Sequence, residues 1–155
     1  MGEFQVVTFT ISNEVFGVKT IQVDGISVLE KVMDIPQKPD FLIGVADIRG
    51  GKVPLVNMNV KFGIRETETK GKRKIILSKC KNMRFGFVVN DVREIMSISD
   101  SEFEPVPDVI RTATNSCITG VAKKGDRLIS IVNFNGILSE TEVEQTVKAM
   151  EDLDE

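Results

Sequence analysis

Residues 44–59, GVADIRGGKVPLVNMN, can be laid without a gap on residues 120–135, GVAKKGDRLISIVNFN, at an offset of 76. Gly-Val-Ala, the later Val-Asn and the final Asn agree, and Val53/Ile129, Leu55/Ile131 and Met58/Phe134 are similar. A second match, at an offset of 69, sets NEVFGVKTIQVDGI beside NMRFGFVVNDVREI. Phe16-Gly17 then meets Phe85-Gly86, and Val23 and Ile26 meet Val92 and Ile95. Two matches in the same order predict a duplicated half-chain. Each copy is too small to bury a comfortable core alone, so two small barrels packed together are expected, with a groove between them as the natural binding site.

The local pattern agrees with that architecture. Val7, Phe9 and Ile11 alternate with Thr8, Thr10 and Ser12, the period of a strand with one buried face. Short apolar runs recur as ISVLEKVMDI, VPLVNMNV, KIILS, RFGFVV, VREIMSI and RLISIVNF, separated by QKPD, GG, CKN, ND and KKGD. Many short strands divided by turn residues predict an all-β protein of two five-stranded barrel subdomains. The expected division is about 15–70 and 71–138, with the N-terminal strand completing the second barrel, all within a single domain spanning 1–155. Pro105 and Pro107 mark an extended connection. One helix is predicted, in an acidic tail over 139–155. There Ser139 and Glu142 have capping-box spacing, and Val143, Val147 and Met150 share a face. The acidic end, 151–155, opposes the helix dipole and is expected to fray.

Composition narrows the chemistry. Hydrophobic residues make up 41% and charged residues 28%, the balance of a globular chain, and a net charge of −3 supplies no global attraction to nucleic acid or an anionic surface. No apolar run approaches membrane-spanning length, and the start MGEFQVVTFTIS lacks the pattern of a secretory signal, so a cytoplasmic protein is expected. Cys80 and Cys117, each in apolar company, are read as buried thiols of a reducing compartment. The chain has no histidine. Nucleophilic triads that rest on an imidazole base are excluded, and the commonest metal ligand is missing. Asp34, Asp40 and Asp47 match no calcium-loop spacing. No enzyme, metal or cofactor is expected.

Gly50-Gly51-Lys52 resembles a phosphate loop only in its letters. Lys52 is followed by Val53-Pro54 and an alternating strand rather than by a hydroxyl residue opening a helix. Gly50 and Gly51 are therefore the expected turn of a hairpin. The basic stretch 70–84 holds Lys70, Lys72, Arg73, Lys74, Lys79, Lys81 and Arg84 but only Phe85 beside it for stacking, so a nucleic-acid-binding small barrel is the second reading. Arg49, at the end of an apolar strand beside the turn, is either a surface ion-pair partner, of Asp47 for example, or an anchor for a protein partner.

FLIGVADIRGGKVPLVNMNVKFG resembles the G-[VI]-x-N-L-R-G-x-[VI]-x-P signature of CheW-like domains. GVAKKGDRLISIVNFNGIL resembles that family's second signature, and VVTFTISNEVFGVKTIQV its opening hairpin. The resemblance runs from about Val6 to Leu138 and is nearest to the free-standing adaptors of the family. It implies a pair of SH3-like barrels and a scaffold, without catalysis, that couples the histidine kinase CheA to the cytoplasmic tips of chemoreceptors. One barrel would pair with the regulatory domain of CheA, and apolar residues of the inter-barrel groove would receive the receptor tip. By position the resemblance nominates Arg49, Gly44, Val23, Val53, Ile75 and Ile76 as partner contacts. This chain departs from the family's Val-x-Glu at Val23-Asp24-Gly25, which removes the glutamate expected to pair with Arg49. Asp47 replaces the usual asparagine and offers a carboxylate in its place, as Asp24 does, and Lys52 stands where an apolar residue is common.

Overall fold

A computed structural model describes residues 2–106 and 117–153. The strands are β1 (Glu3–Ile11), β2 (Glu14–Lys19), β3 (Gly25–Val28), β4 (Leu42–Ile48), β5 (Gly51–Asn57), β6 (Lys74–Cys80), β7 (Met83–Val89), β8 (Asp91–Ser99), β9 (Phe103–Pro105), β10 (Ile118–Lys124) and β11 (Arg127–Val132). Two α-helices accompany them, α1 (Met58–Phe62) and α2 (Glu140–Leu153). The strands form two sheets, ordered β8-β1-β2-β11-β10-β9 and β3-β6-β7-β5-β4. The protein is all-β, with two SH3-like subdomains and a C-terminal helix.

The repeat explains the order of both sheets. The offset of 69 carries β1, β2 and β3 onto β6, β7 and β8, while the offset of 76 carries β4 and β5 onto β10 and β11. Each sheet therefore holds the opening hairpin of one copy and the closing hairpin of the other, joined by a parallel pair. Leu55 on β5 lies beside Gly86 on β7, and Ile131 on β11 lies beside Gly17 on β2. A Cβ on Gly86 would meet Ile75, Leu55 and Val53, and one on Gly17 would meet Val6, Ile131 and Ile129, the same positions in the other copy. The expected division near residue 70 is corrected accordingly. β6 and β7 pair with β3 and β5, so the sheets divide between Lys19 and Gly25 and again at Asn90.

Three apolar clusters follow from this exchange. A shared core takes Val7, Phe9 and Phe16 from one sheet and Ile76, Phe85 and Phe87 from the other, with Phe87 and Phe134 only 4.6 Å apart between ring centres. Two smaller clusters fill the individual subdomains: Ala46, Val53, Leu55 and Ile75 in one, and Ala122, Ile129, Ile131 and Val6 in the other. These pairs are repeat equivalents. β1 lies between both kinds of core, so Thr8 and Thr10 are buried as well as Val7 and Phe9, where alternation predicted one wet face. Thr8 resolves its burial at a β-bulge, where Oγ1 donates to the Glu94 carbonyl and accepts from the Glu94 amide.

The first of the two asparagines in each copy of the repeat, Asn57 and Asn133, is a helix cap. Asn57 Oδ1 accepts from the amides of Asn59 and Val60, and Asn133 Oδ1 accepts from the amide of Asn135. Ser139 and Glu142 form the expected capping box of α2. Glu142 is also clasped by Lys61 of α1 at 2.7 and 2.9 Å. The helix continues through Glu151 and Asp152 to Leu153, because Val143, Met150 and Leu153 pack against the shared core. Residues 154 and 155 of the expected fraying end, and Pro107, lie outside the described residues; Pro105 ends β9.

Candidate functional site

Arg49 and Gly50 are the two loop residues of the β4–β5 hairpin, between the paired positions Ile48 and Gly51. Both have positive φ, +53° and +79°, as a two-residue hairpin turn with the right twist requires. The turn is thus Arg49-Gly50 rather than the expected Gly50-Gly51; Gly51 already belongs to β5. In the second copy the first loop position is Gly125, with φ +63°. Arg49 therefore occupies, with a full side chain, a left-handed position that its repeat equivalent fills with glycine, a strain of about 1 kcal/mol or more.

The side chain of Arg49 turns back across the strand order onto the start of β3. A Cβ built on Gly25 would stand 2.6 Å from Arg49 Nη2 and 3.0 Å from Cζ. Nη1 donates to the backbone carbonyl of Asp24 at 3.3 Å. The carboxylates nominated for Arg49, those of Asp47 and Asp24, do not pair with it, and among the described residues no carboxylate does. The bare backbone of Gly25 is what admits the planar guanidinium so close, and Arg49 as a residue remains exposed.

Beside this contact an open groove of about 350 Å³ runs along the seam of the sheet, between β3, the segment after it and β4. Its floor is Ile75, Ala46 and Ile48, and its rim carries Val28, Met33, Glu30 and Asp47. The equivalent seam of the other sheet is plugged. Lys124, the repeat equivalent of Ile48, crosses it to donate to the Ser97 carbonyl at 2.9 Å and to Glu102 at 3.2 Å.

The remaining nominated residues divide by role. Gly44 is a packing residue: a Cβ there would stand 2.5 Å from the carbonyl oxygen of Met33, which bridges Val45 through two backbone bonds. Gly120 admits Phe103 and Glu104 of β9 in the same way. Val53, Ile75 and Ile76 are buried in the core. Ile75 still floors the seam groove, and Ile76 lies opposite Ile26 on β3. Val23 is half-buried against the shared core.

Sequence reasoning missed the use of the edge strands. β3 and β8, equivalent in the repeat, both border the shared core, and each exposes an isoleucine: Ile26 at 47% and Ile95 at 64%. Val23 and Val92, three residues before them, pack half-buried on that core. The aligned pairs Val23/Val92 and Ile26/Ile95 carried the signal. A larger groove, about 460 Å³, is lined by Phe16, Phe62, Ile118 and Leu128 and contains none of the nominated residues.

Four charges of the basic stretch are engaged within the chain. Lys72 pairs with Glu30, Arg73 with Glu66 and Lys74 with Asp91, while Lys81 donates to the carbonyls of Asn135 and Leu138. The nucleic-acid reading has no support. Among the described residues no group of three or more His, Cys, Asp or Glu side chains is placed to hold a metal ion, and no helix is long and apolar enough to cross a membrane. Cys80 and Cys117 are buried free thiols, and desolvation pushes Cys117 up to about 11.

Comparison with known proteins gives a consistent result. The family model of the CheW-like domain matches residues 5–142. The chemotaxis protein CheW of Klebsiella aerogenes is 28% identical over 135 residues, covering 87% of this chain and 81% of that protein. The CheW of Thermotoga maritima is 26% identical and covers 94% of each. The crystal structure of the scaffolding protein TtCheW from Thermoanaerobacter tengcongensis aligns with a TM-score of 0.80 at 24% identity, covering 92% of both chains.

Proposed function

Because this chain belongs to the CheW-like domain family, we propose that it is a chemotaxis adaptor that works without catalysis, linking the histidine kinase CheA to the cytoplasmic tips of chemoreceptors. It acts in the cytoplasm and reaches the membrane array only through those partners. Holding two partners at once raises the concentration of each around the other, so no covalent chemistry is needed.

The kinase contact is assigned to the end of the β3–β7 subdomain, where the regulatory domain of CheA would dock. The observation that carries it is the exposed guanidinium of Arg49, seated on backbone and without a carboxylate partner among the described residues. With the apolar seam groove beside it, this end suits a partner that offers one carboxylate and one aliphatic side chain. The receptor contact is assigned to Val23, Ile26, Val92 and Ile95 on and beside the two equivalent edge strands, whose exposed isoleucines suit the apolar face of a helical hairpin.

The test is direct binding of the purified protein to the isolated CheA regulatory domain and to a receptor cytoplasmic fragment. Arg49→Ala is expected to weaken the first at least fivefold and spare the second; Ile95→Asp is expected to do the reverse. Failure of the wild-type protein to bind either partner would overturn the reading.

A further inference from the structure

The two surfaces just assigned meet at one short piece of chain. Residues 20–24 cross from the first sheet to the second, and this crossing carries Val23 of the proposed receptor contact and Asp24, whose carbonyl seats Arg49. Its apolar anchorage is Val23, half-buried on the shared core. None of Thr20, Ile21 and Gln22 is buried, and Ile21 is 88% exposed. The rest of what fixes it is polar, and most of that runs through Gln22. Nε2 of Gln22 donates to Asn133 Oδ1 at 2.8 Å, while its Oε1 accepts from the amide of Phe134 at 3.0 Å. Its own carbonyl accepts from Ser78 Oγ at 2.6 Å. One residue is thus bound to the end of β11 in one sheet and to β6 in the other. The Asp24 amide adds a bond of 2.7 Å to Leu77.

The second crossing, between β7 and β8, has no comparable slack. It is the single residue Asn90, buried, whose amide is bonded to Thr10 and whose Oδ1 accepts from the Ser12 amide at 2.6 Å. A one-residue crossing is set by its strands; a five-residue crossing needs a clamp. The acceptor of that clamp is itself oriented, because Asn133 Oδ1 also accepts from the Asn135 amide and so presents oxygen, not nitrogen, to Gln22.

We propose that Gln22 is a positioning residue for both partner surfaces: by tying the crossing to Asn133, Phe134 and Ser78 it sets the placement of Val23 and of the Asp24 carbonyl at once. Neither partner need touch Gln22 itself. This rests on the assignment of the two surfaces above, and it predicts that one substitution away from both contacts weakens both.

The experiment uses the full chain with Gln22→Met, which keeps length and volume but removes both side-chain bonds. Affinities for the CheA regulatory domain and for the receptor fragment are measured separately, with thermal midpoints. Thr146→Val serves as the comparison: it removes the hydrogen bond of the buried Thr146 hydroxyl to the Glu142 carbonyl inside α2, which shares no hydrogen bond with the crossing. The expected result is a five- to tenfold loss for both partners with Gln22→Met, while Thr146→Val lowers the midpoint without changing either affinity. A fold lost altogether with Gln22→Met is met by Gln22→Glu, which keeps the Phe134 bond but sets one carboxylate oxygen against Asn133 Oδ1, and the same paired loss is expected. Wild-type affinity for both partners in a folded variant, a loss for one partner only, or an equal loss with Thr146→Val would each overturn the proposal. If the wild-type protein binds neither partner, the failure belongs to the functional reading instead.

Discussion

The guanidinium of Arg49 occupies the space that a side chain on Gly25 would claim, 2.6 Å from the position of the missing Cβ. An arginine on a strained turn and a glycine on an edge strand are thus one device. The turn points the side chain inward, and the glycine lets it lie flat on backbone, where it stays available.

Removing the side chain and removing the strain can be separated. Arg49→Gly places glycine where φ is +53° and should stabilise the fold by about 1 kcal/mol, whereas Arg49→Ala keeps most of the strain. Both should weaken binding of the kinase domain. Thermal denaturation of the two variants, read beside their affinities, checks the sign; a destabilised Arg49→Gly contradicts the strain.

Gly25→Glu should shift function without unfolding. The clash falls on the free end of a flexible side chain, so stability should change by less than about 0.5 kcal/mol. The new carboxylate would pair with Arg49 within the chain and compete with a partner's carboxylate. Kinase-domain binding is expected to become weaker, and titration calorimetry with the regulatory domain reads it.

Gly44→Ala should fail by another route. Its Cβ would stand 2.5 Å from the Met33 carbonyl oxygen, a backbone atom tied into a two-bond bridge to Val45. A cost of about 2 kcal/mol or more is expected, visible as a lower urea midpoint. Gly120→Ala, against Glu104 and Phe103, should behave alike.

Acid should loosen α2 through Glu142. Burial alone would raise its carboxyl, but hydrogen bonds from Lys61 and the Ser139 amide outweigh burial and hold it below the ordinary range. A carboxyl lowered in the folded state contributes stability that is complete above its unfolded value and is lost as pH falls through the folded value. Glu142→Gln should therefore cost about 1 kcal/mol near neutral pH and almost nothing at about pH 3. Urea unfolding at the two pH values measures the difference.

Both thiols should resist alkylation until the protein unfolds. Cys80 and Cys117 are buried and desolvation raises each, so the thiolate is scarce and shielded. Labelling with iodoacetamide at mildly alkaline pH, with and without denaturant, should differ by orders of magnitude.

Much of this was legible in the residues. The duplicated pattern, the all-β class and the capping box at Ser139 and Glu142 all follow from local spacing. What escaped was non-local. Offsets identify equivalent strands but not partners, so β6 and β7 looked like the start of a second barrel although they complete the first. A strand buried on both faces loses its wet side: β1 keeps its alternation although Thr8 and Thr10 are buried, and on β6 the consecutive Ile75, Ile76 and Leu77 are all buried. The turn was shifted by one residue because two adjacent glycines hide an arginine with positive φ; only Gly125, aligned with Arg49, carried that signal.

The exchange of hairpins also says what the smallest heritable unit of this protein is. Neither copy of the repeat contains a complete sheet, since each lends its first two strands to the other. A chain cut in the connection between α1 and β6 would yield two pieces that are each unfinished yet complementary, so that they should regain structure only when mixed. Duplication made the parts, but what can be grafted onto another protein is the interlocked whole.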